Sequence, residues 1–152
     1  MPSSESLLQQ KYYAHPRNSF WPIMVNLLNI DDSDYAGRAA KTAERGFAVW
    51  DVLKACVRPG SLDSNIDEKS IIPNDFPAFF SGHPNIERVF FNGAKSELVY
   101  RRHVLPGLPP YCAGMKLERL PSTSPAHASM SIAAKLNAWR TLLKSEIEDL
   151  TT

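Results

Sequence analysis

One run of ten residues, Tyr12 to Trp21, combines side chains that could stack a flat ring and hydrogen-bond its edge. It reads Tyr-Tyr-Ala-His-Pro-Arg-Asn-Ser-Phe-Trp. An ordinary core segment has no use for Arg17 and Asn18 among its aromatic residues, whereas a pocket for a planar ligand needs that mixture. The competing interpretation is a turn at His15-Pro16 flanked by core tyrosines, because proline disfavours helical geometry in the preceding residue. Composition alone leaves both interpretations open.

Two further groups of polar side chains follow predicted strands. Asn92 ends the apolar run 86–91, and Ser122-Thr123-Ser124 follows the run 116–120. Strands separated by helices predict a mostly parallel sheet, and such sheets bind ligands at the carboxyl ends of their strands. We therefore expect both groups to face the same crevice as the aromatic run. An ordinary role competes in each case: an Asn-Gly turn for Asn92, and helix capping for the serines.

Predicted helices and strands would position these groups around one sheet. Helical spacing and capping residues predict a first helix that begins after Asn18 or Ser19. Further helices are predicted at 35–45, at 94–103, at 126–149, and within 71–81, where Asn74 would be the cap. Apolar runs predict strands at 47–53, 86–91 and 116–120. Asp51, inside the first of these, is expected to be a structural hydrogen-bond acceptor. The alternation predicts an α/β fold of three layers, α/β/α, with a short, mostly parallel central sheet.

Length and composition indicate one folded domain over residues 1–152. Hydrophobic residues make up 43% and charged residues 22%, as in soluble globular proteins. No apolar run approaches the roughly 20 residues of a membrane span, so we expect no membrane partner. The net charge of +1 excludes a strongly basic, histone-like binder but leaves room for contacts with a few phosphates. Cys56 and Cys112 are expected as reduced thiols of a cytoplasmic protein.

Motifs for metal-dependent or cofactor-dependent chemistry do not occur in the sequence. It contains no P-loop, no GxSxG elbow, no GxGxxG fingerprint and no HExxH motif. Its four histidines lack metal-ligand spacing, and two cysteines cannot hold a four-thiolate iron–sulfur cluster. We therefore expect no metal and no tightly bound cofactor.

The run from His15 to Trp21 resembles the uracil-DNA glycosylase superfamily, whose mismatch-specific uracil/thymine branch has a similar His-Pro-x-Asn-x-Phe-Trp run. The closer match is to the hypoxanthine (deoxyinosine) DNA glycosylases. Their pattern looks like Met-Pro-Gly-x-x-Ser-Leu followed by Tyr-Tyr-Ala-His-Pro-Arg-Asn-x-Phe-Trp. Further similarities extend over nearly the whole chain, at Trp50 to Leu53, Arg58 with Gly60 to Ser64, Phe91-Asn92-Gly93, and Leu120 to Ala126. The resemblance implies a single uracil-DNA-glycosylase-like domain.

The resemblance also implies a DNA repair enzyme that excises a deaminated base by hydrolysing its N-glycosidic bond, without metal or cofactor. Hypoxanthine is the expected base, with uracil and mismatched thymine as secondary substrates. The partner would be double-stranded DNA, from which the damaged or mismatched base leaves the stack and enters a tight pocket. The protein would act in the cytoplasm, at the nucleoid in a bacterium.

Residues of the aromatic run take roles from this resemblance. Tyr13 matches the aromatic residue that stacks on the base, and Asn18 matches the asparagine assigned the catalytic role. An amide does not titrate near neutrality, but its carbonyl can orient a water and its NH₂ can donate. Asn92 could donate to a carbonyl of the leaving base, and His15 could protonate a purine at N7. The ordinary alternatives are a core tyrosine for Tyr13, a helix cap for Asn18 and a turn for Asn92.

The loop Ser122-Thr123-Ser124 matches the segment with which the family pinches the DNA backbone and fills the gap left by the flipped base. Hydroxyls and free N–H groups before a helix bind phosphate well. Arg17 is expected to contact DNA as well. His127 and Ser129 are candidates for the residue that wedges into the duplex, because both follow Pro125. Capping of the next helix remains the alternative for the serines.

One part of the family's pattern has no counterpart. In the family Met-Pro-Gly ends a central first strand, whereas Met1-Pro2-Ser3 opens this sequence, so the expected sheet lacks that strand. Its two neighbours would keep unpaired ladders, a substantial cost against a typical stability of ~5–15 kcal/mol. Either the start of the sequence was assigned too far downstream, or a partner, a rearrangement or self-association fills the slot. The competing functions are a truncated, non-catalytic relative that binds DNA or self-associates, and a small-molecule nucleotide binder on the same fold.

Overall fold

The computed structural model describes residues 2–31, 34–61 and 63–144. The helices in these ranges are α1 (Ser4–Gln9), α2 (Phe20–Leu28), α3 (Tyr35–Glu44), α4 (Phe76–Gly82), α5 (Ala94–His103) and α6 (Ile132–Trp139). The strands are β1 (Leu53–Ala55), β2 (Ile72–Pro73), β3 (Arg88–Asn92) and β4 (Lys116–Leu120). Short 3₁₀ turns lie at Pro59–Ser61, Asp63–Asn65, Glu68–Ser70, Leu105–Gly107, Pro110–Cys112 and Arg140–Leu143. Together these elements form a mixed α/β fold.

The strands of the described residues form two separate pairs. β3 and β4 run parallel, with Arg88 opposite Lys116 and Asn92 opposite Leu120. Parallel strands need a crossover connection, and here that connection begins with α5 directly after β3. β1 and β2 form a shorter antiparallel pair. The strands predicted at 86–91 and 116–120 are therefore confirmed.

Two apolar clusters pack on opposite faces of the β3–β4 pair. The first consists mainly of residues from α2 and α6, and Phe90 and Leu120 pack in it. The second consists mainly of residues from α4 and α5, and Val89, Phe91 and Leu117 pack in it. Successive strand residues point to opposite faces, so this alternation places a helical cluster on each side of the pair. The side chains of β3 are consequently apolar on both faces.

Helices with strong local end signals agree with their predicted bounds. α5 spans residues 94–103 as predicted, and α3 spans 35–44 against a predicted 35–45. At the start of α3 the Asp34 side chain accepts a hydrogen bond from the Gly37 N–H, one of the donors that a first turn leaves unpaired. At its end Gly46 has a φ of +85° and donates to the Ala43 carbonyl. Such capping depends on neighbouring residues alone, which makes it readable from sequence.

The predicted strand at 47–53 is wrong. Residues 47–52 belong to no strand, and β1 covers only Leu53–Ala55. The side chains nevertheless alternate as in a strand, because Phe47 and Val49 pack on the first cluster and Val52 on the second. A strand is defined by a ladder with a neighbour, and no neighbouring strand flanks this segment within the described residues. The apolar pattern is present without the pairing that it predicts.

The helix predicted within 71–81 begins later than expected. Asn74 does not cap it, because its side chain donates instead to the Asp51 carbonyl at 2.8 Å. The helix α4 begins at Phe76 after Asp75, whose carboxylate accepts from the Ala78 N–H. The competing long-range partner at Asp51 was invisible in the local sequence.

The long helix predicted at 126–149 is much shorter. It begins at Ile132 because Ser131, not the earlier serines, caps it by accepting from the Ala134 N–H. After Trp139 the chain tightens into the 3₁₀ turn Arg140–Leu143. Residues 145–149 of the prediction lie outside the described residues. No helix in the described ranges is long and apolar enough to cross a membrane.

Candidate functional site

A cavity of about 890 Å³ lies between the two apolar clusters and is lined by side chains from both. Small-molecule pockets occupy roughly 300–1,000 Å³, so a nucleobase fits easily. Most of the predicted site residues line it: Tyr13, His15, Asn18, Asn92, Ser122, Thr123 and Ser124. Arg17 and His127 do not line it, and both are exposed. The structure thus brings together the predicted base-binding and catalytic residues.

Asn18 lies in the turn before α2. Its side-chain carbonyl accepts a hydrogen bond of 3.0 Å from the Phe20 N–H, one of the donors that the first helical turn leaves unpaired. A carbonyl oxygen has two lone pairs, so one remains for a further donor such as water. The amide NH₂ makes no hydrogen bond within the described part of the chain. Asn18 therefore caps the helix and still presents polar atoms to the cavity.

Tyr13 has a positive φ of 55°, an uncommon backbone conformation for a bulky residue. Its ring stacks on Phe20, with centroids 3.9 Å apart and 22° between the planes. One ring face is thus supported by the helix that Asn18 caps. Burial raises the pKa of the Tyr13 hydroxyl to about 12, against the opposing effect of the neighbouring Asn92 side chain. The phenol consequently stays neutral at physiological pH.

His15 shares the turn with Arg17 and Asn18. The Arg17 N–H donates to His15 Nδ1 at 3.1 Å, so in the neutral ring the proton is on Nε2. The His15 carbonyl accepts from the Asn18 N–H at 2.9 Å, which closes the turn. A side chain that lines the cavity therefore keeps one ring N–H as a donor.

Asn92, the last residue of β3, uses both ends of its amide on Thr123. Its Nδ2 donates to the Thr123 hydroxyl at 2.8 Å, and its Oδ1 accepts from the Thr123 N–H at 2.9 Å. Thr123 is only 1% exposed. An NH₂ group carries two hydrogens, and the Asn92 side chain also acts on the neighbouring Tyr13 hydroxyl, whose pKa it lowers. The first role of Asn92 is thus to hold the loop at 122–124 against the end of the strand.

Gly93 allows that loop to approach closely. Its φ is +94°, and a Cβ added to it would lie 3.0 Å from the Cβ of Ser122. Its N–H donates to the Leu120 carbonyl at 3.0 Å, which extends the β3–β4 ladder by one bond. Only glycine fits both the backbone conformation and the available space.

Ser19 joins the same loop to the aromatic run. Its backbone N–H and its hydroxyl both donate to the Thr123 carbonyl, at 3.1 and 3.2 Å. Ser19 is 6% exposed, so these are buried hydrogen bonds. Its predicted role was only that of a possible cap for α2, and its side chain makes no capping hydrogen bond. The contact joins residues 104 positions apart, which local sequence reasoning cannot detect.

Two buried tryptophans fix the loops on either side of the cavity. Trp21 Nε1 donates to the Tyr12 carbonyl, and Trp139 Nε1 donates to the Pro121 carbonyl, both at 3.0 Å. Buried indole N–H groups usually find an acceptor. A tryptophan near each loop was therefore the sequence signal for a hydrogen bond that fixes the loop.

The serines of the loop cap local turns. Ser122 Oγ accepts from the Ser124 N–H, and Ser124 Oγ accepts from the Ala126 N–H, both at 3.2 Å. The carbonyl of His127 accepts from Lys135 Nζ at 2.8 Å. Burial lowers the pKa of Lys135, and the buried ammonium ties the start of α6 to the loop. The loop is therefore held at both of its ends.

Asp51 also lines the cavity, although the sequence indicated only a structural role. Burial raises the pKa of both Tyr12 and Tyr13, and the negative charge of Asp51 raises it further. The carboxylate therefore lies close to the ring proposed to bind a base. Its place beside Trp50 at the end of an apolar run was the signal in the sequence.

The arrangement can hold a neutral planar ring and orient a water without a metal. In the described ranges no group of three or more His, Cys, Asp or Glu side chains could bind a metal ion. Tyr13 offers an aromatic face, His15 and Asn92 offer N–H donors, and Asn18 offers an amide. These are the groups needed to recognise a base by stacking and by its polar edge.

Comparison with known proteins finds similarity over part of the chain. A protein named hypoxanthine DNA glycosylase from Methanosarcina acetivorans is 35% identical over 98 residues, which are 63% of this chain and 61% of that protein. A protein of the same name from Methanosarcina barkeri is 33% identical over 98 residues, with the same coverage. The chain thus spans about 61% of the length of these curated relatives. No model of a known protein family matches the sequence.

Proposed function

We propose that this protein is a DNA glycosylase of the uracil-DNA glycosylase superfamily that removes hypoxanthine from DNA by hydrolysing its N-glycosidic bond. The convergence of Tyr13, Asn18 and Asn92 on one cavity carries the proposal. The similarity to two hypoxanthine DNA glycosylases supports the choice of base. Uracil and mismatched thymine are secondary substrates in this proposal, and the partner is a DNA duplex that contains the damaged or mismatched base.

In this proposal the flipped base stacks on the face of Tyr13 that Phe20 does not cover. Such stacking is worth ~1–3 kcal/mol by analogy with single-strand recognition. The ring N–H of His15 and the second N–H of Asn92 donate to acceptors on the base edge. Both donors lie on residues whose remaining polar atoms are already engaged, so their direction is fixed before the base arrives.

Asn18 positions the attacking water through its free lone pair and its NH₂ group. An amide is not a base at neutral pH, so its contribution is placement, which suffices where the glycosidic bond breaks largely before the nucleophile arrives. Asp51 is a second group for this step, because it lines the same cavity as Tyr13 and Asn18 and a carboxylate can accept a proton from the water. Asn18 and Asp51 thus divide orientation and proton acceptance.

The DNA backbone is proposed to bind along the loop at 122–124. The Ser122 and Ser124 hydroxyls, whose oxygens accept hydrogen bonds within the loop, keep their hydrogens for phosphates. Thr123, which the sequence predicts as a DNA contact, instead holds the loop, because it is buried and its N–H and hydroxyl bind Asn92. Arg17 adds a charged contact from the neighbouring turn. His127 is exposed directly after the loop, where a side chain could enter the space left by the flipped base. In this proposal the protein acts in the compartment that contains the DNA of the cell.

We further propose that residues 1–152 form a single three-layer α/β/α domain in which one strand position of the sheet is not filled by the described residues. The helical clusters on both faces of β3–β4 support the layers. The segment 47–51 faces both clusters and lines the same cavity as β3. This supports an unfilled strand position between the segment and β3. This position would correspond to the first strand of the family.

The competing function is a non-catalytic relative that binds DNA or self-associates. The observation that favours it is the same open position, because a gap in the sheet next to Tyr13 weakens the support of the site. Catalysis needs reacting groups held within a fraction of an ångström, whereas DNA binding through a loop tolerates looser geometry.

One assay separates the two functions. Duplexes that carry inosine, uracil or a G·T pair are incubated with the protein, and abasic sites are cleaved with alkali. We expect cleavage of the inosine duplex. In Asn18→Ala the rate of base excision should fall by at least about 100-fold. Ser131→Ala, which removes the cap of α6 away from the cavity, is the matched control and should keep its activity. Clean DNA binding without abasic product on any duplex would establish the competing function.

A further inference from the structure

Arg58 is a cationic side chain of the cavity to which the proposed function gives no role. It is half-buried and lines the same cavity as Tyr13 and Asn18. Its guanidinium donates through Nη2 to the Pro2 carbonyl. A guanidinium is planar and carries five N–H donors and no acceptor, so this contact engages one donor and restrains the orientation of the plane. The partners that such a fork matches best are planar groups with two neighbouring acceptors.

The contact with the Pro2 carbonyl places the guanidinium at the end of the cavity that contains the Tyr13 backbone. Pro2 directly precedes Ser3, the cap of α1, whose hydroxyl accepts from the Ser6 N–H at 3.2 Å. Ser6 is 4% exposed, and its hydroxyl accepts from the Ala14 N–H at 3.1 Å. The start of α1 is therefore joined to the residue that follows Tyr13.

The other lysine and arginine residues of the described lining lie at the far end of β3. Arg88 begins this strand and donates to the Lys144 carbonyl at 2.6 Å, whereas Asn92 ends it. Four steps along a strand span about 13 Å. The Asn92 side chain is the one that acts on the Tyr13 hydroxyl. Within the described lining, the cation at the end where a base would stack is therefore Arg58.

The segment that carries Arg58 is closed on itself and attached to α5. The Asp67 N–H donates to the Val57 carbonyl at 2.9 Å, which closes the segment next to Arg58. Three basic side chains of α5 pair with Glu68 of this segment, namely Lys95, Arg102 and His103. Because α5 begins one residue after Asn92, the same helix positions the segment and the end of β3.

Hypoxanthine offers a guanidinium two adjacent acceptors, O6 and N7, on one edge. Guanine presents the same pair in the major groove of DNA, and bidentate arginine is its commonest specific partner. Adenine keeps N7 but carries an amino group at C6, so a donor would face a donor. A guanidinium therefore accepts the deaminated purine and rejects the normal base from which it arises. Guanine differs from hypoxanthine at C2, on another edge, and its exclusion requires a different contact.

We propose that Arg58 binds O6 and N7 of the flipped hypoxanthine and determines the preference of the site for this purine over adenine. The proposal rests on the proposed function, because a base must enter the cavity. During excision the C1′–N9 bond breaks, its electron pair goes to the base, and the water oxygen forms the new bond to C1′. The proton that the water loses is balanced by the proton that the departing base takes up. The guanidinium contacts atoms over which the negative charge spreads, so it also stabilises the leaving base.

The test measures binding of the full chain to duplexes in which one nucleotide has a 2′-fluoroarabino sugar, which resists cleavage. Its base is hypoxanthine, 7-deazahypoxanthine or adenine, placed opposite an abasic analogue so that no base pair has to open. We expect the parent to bind the hypoxanthine duplex at least about fivefold more tightly than either of the others, as one lost bidentate contact predicts. In Arg58→Gln both ratios should fall by at least about fivefold. Fluorescence anisotropy measures the affinities.

Two further variants separate base contact from structural support. Arg58→Lys keeps a charged donor for the Pro2 carbonyl but lacks the planar fork, so its base preference should fall toward that of Arg58→Gln. Arg45→Gln, exposed at the end of α3 and outside the lining, should keep the preference of the parent. Weaker binding of all three duplexes with unchanged ratios would show a structural role alone and overturn the proposal. A preference for N7 that persists in both Arg58 variants would assign the contact to another donor, such as His15, with the same consequence.

The inosine excision assay on the same samples separates this proposal from the proposed function. Excision by the parent, with a base preference that Arg58→Gln leaves unchanged, overturns the role of Arg58 and keeps the activity. A preference that depends on Arg58, without abasic product, keeps the base contact and removes the activity. The absence of any base preference in the parent overturns the role of Arg58 whatever the excision rate.

Discussion

Asn18 has a structural task beside the catalytic one proposed for it, and substitutions can separate the two. Asn18→Asp keeps an oxygen that accepts from the Phe20 N–H, whereas Asn18→Ala removes it. We expect Ala to lower the free energy of unfolding by about 1 kcal/mol and Asp to leave it nearly unchanged. Urea unfolding at pH 7 measures the stability of both variants. Ser131→Ala, which removes the cap of α6, should lower the free energy of unfolding by a similar amount and serves as the comparison. An Asp variant as unstable as the Ala variant would show that the cap is not the stabilising contact.

Tyr100 should make stability depend on pH in the alkaline range. Burial, and after it the charge of Cys112, raises its pKa from 10.0 to about 12. As pH rises, the unfolded chain loses this proton first, so the folded state binds more protons between pH 10 and 12. The free energy of unfolding therefore falls across that interval and is unaffected below it.

The substitution Tyr100→Phe should reduce this alkaline fall in the free energy of unfolding, with the remainder caused by Tyr12 and Tyr13, whose pKa values are also raised. At pH 7 the variant should be as stable as the parent or more stable by up to about 1 kcal/mol, because an unpaired buried hydroxyl is removed. Urea unfolding at pH 9 and pH 11 measures the difference. Tyr111→Phe at an exposed position is the control. An equally steep fall in both variants would contradict the assignment.

Single residues were predictable where their partners are near in sequence. The turn from His15 to Asn18 and the capping at α2 follow from a proline and an amide within a few positions. The double contact of Asn92 with Thr123 bridges 31 positions, so no local pattern contains it. The residues were therefore identified correctly as lining one cavity, while the engagement of Asn92 with the loop was missed.

At the scale of elements, the join between β3 and the loop at 122–124 depends on Gly93. In Gly93→Ala an alanine would have a φ of +94°, and its Cβ would lie 3.0 Å from the Cβ of Ser122, so the backbone would have to shift. We expect a loss of about 1–3 kcal/mol in the free energy of unfolding, as for a strained backbone position. Activity on an inosine duplex should fall as well, since the loop carries Thr123.

Gly114→Ala is the matched control for this prediction. No atom lies within 4 Å of a Cβ added there. Each variant adds one methyl group. The two sites differ in the space around that group and in the conformation of the backbone. If chemical denaturation shows equal stability for both, the close approach of the loop has no energetic importance.

Elements were predictable in proportion to how local their causes are. α3 is capped by Asp34 directly before it and α5 begins after the Asn92-Gly93 turn, and the bounds of both helices agree closely with prediction. The segment 47–52 has the apolar alternation of a strand, but a strand also needs a neighbour that the segment cannot supply. The start of α6 was predicted too early because Ser122, Ser124 and Ser131 are equivalent caps by type, and only the fold selects Ser131.

For the whole molecule, DNA binding should depend on salt through a small number of charges. The net charge is only +1, so binding must come from local contacts and not from a general positive field. Arg17→Ala should weaken binding to an inosine duplex and reduce the slope of log K against log salt by about 1. Arg45→Ala, also exposed but at the end of α3, should leave the slope unchanged. Fluorescence anisotropy over a salt series measures both, and equal slopes for parent and Arg17→Ala would exclude the contact.

The architecture as a whole could be predicted only as a class. Alternating helical and apolar segments indicated α/β, and the parallel β3–β4 pair with α5 between its strands agrees. The relation of the segment 47–51 to the rest depends on pairing with other strands, which a pattern of hydrophobic residues along one segment does not encode.

The hydrogen bonds on Thr123 also set an order of events during synthesis. The aromatic run is made first, but Ser19, near the end of the run, is held by a residue made 104 positions later. Closing so long a loop is entropically costly and must await contacts that repay it. A nascent chain that ends before Thr123 thus carries Tyr13 and Asn18 without the restraint that aligns them. The pocket is therefore completed only after Thr123 has been made.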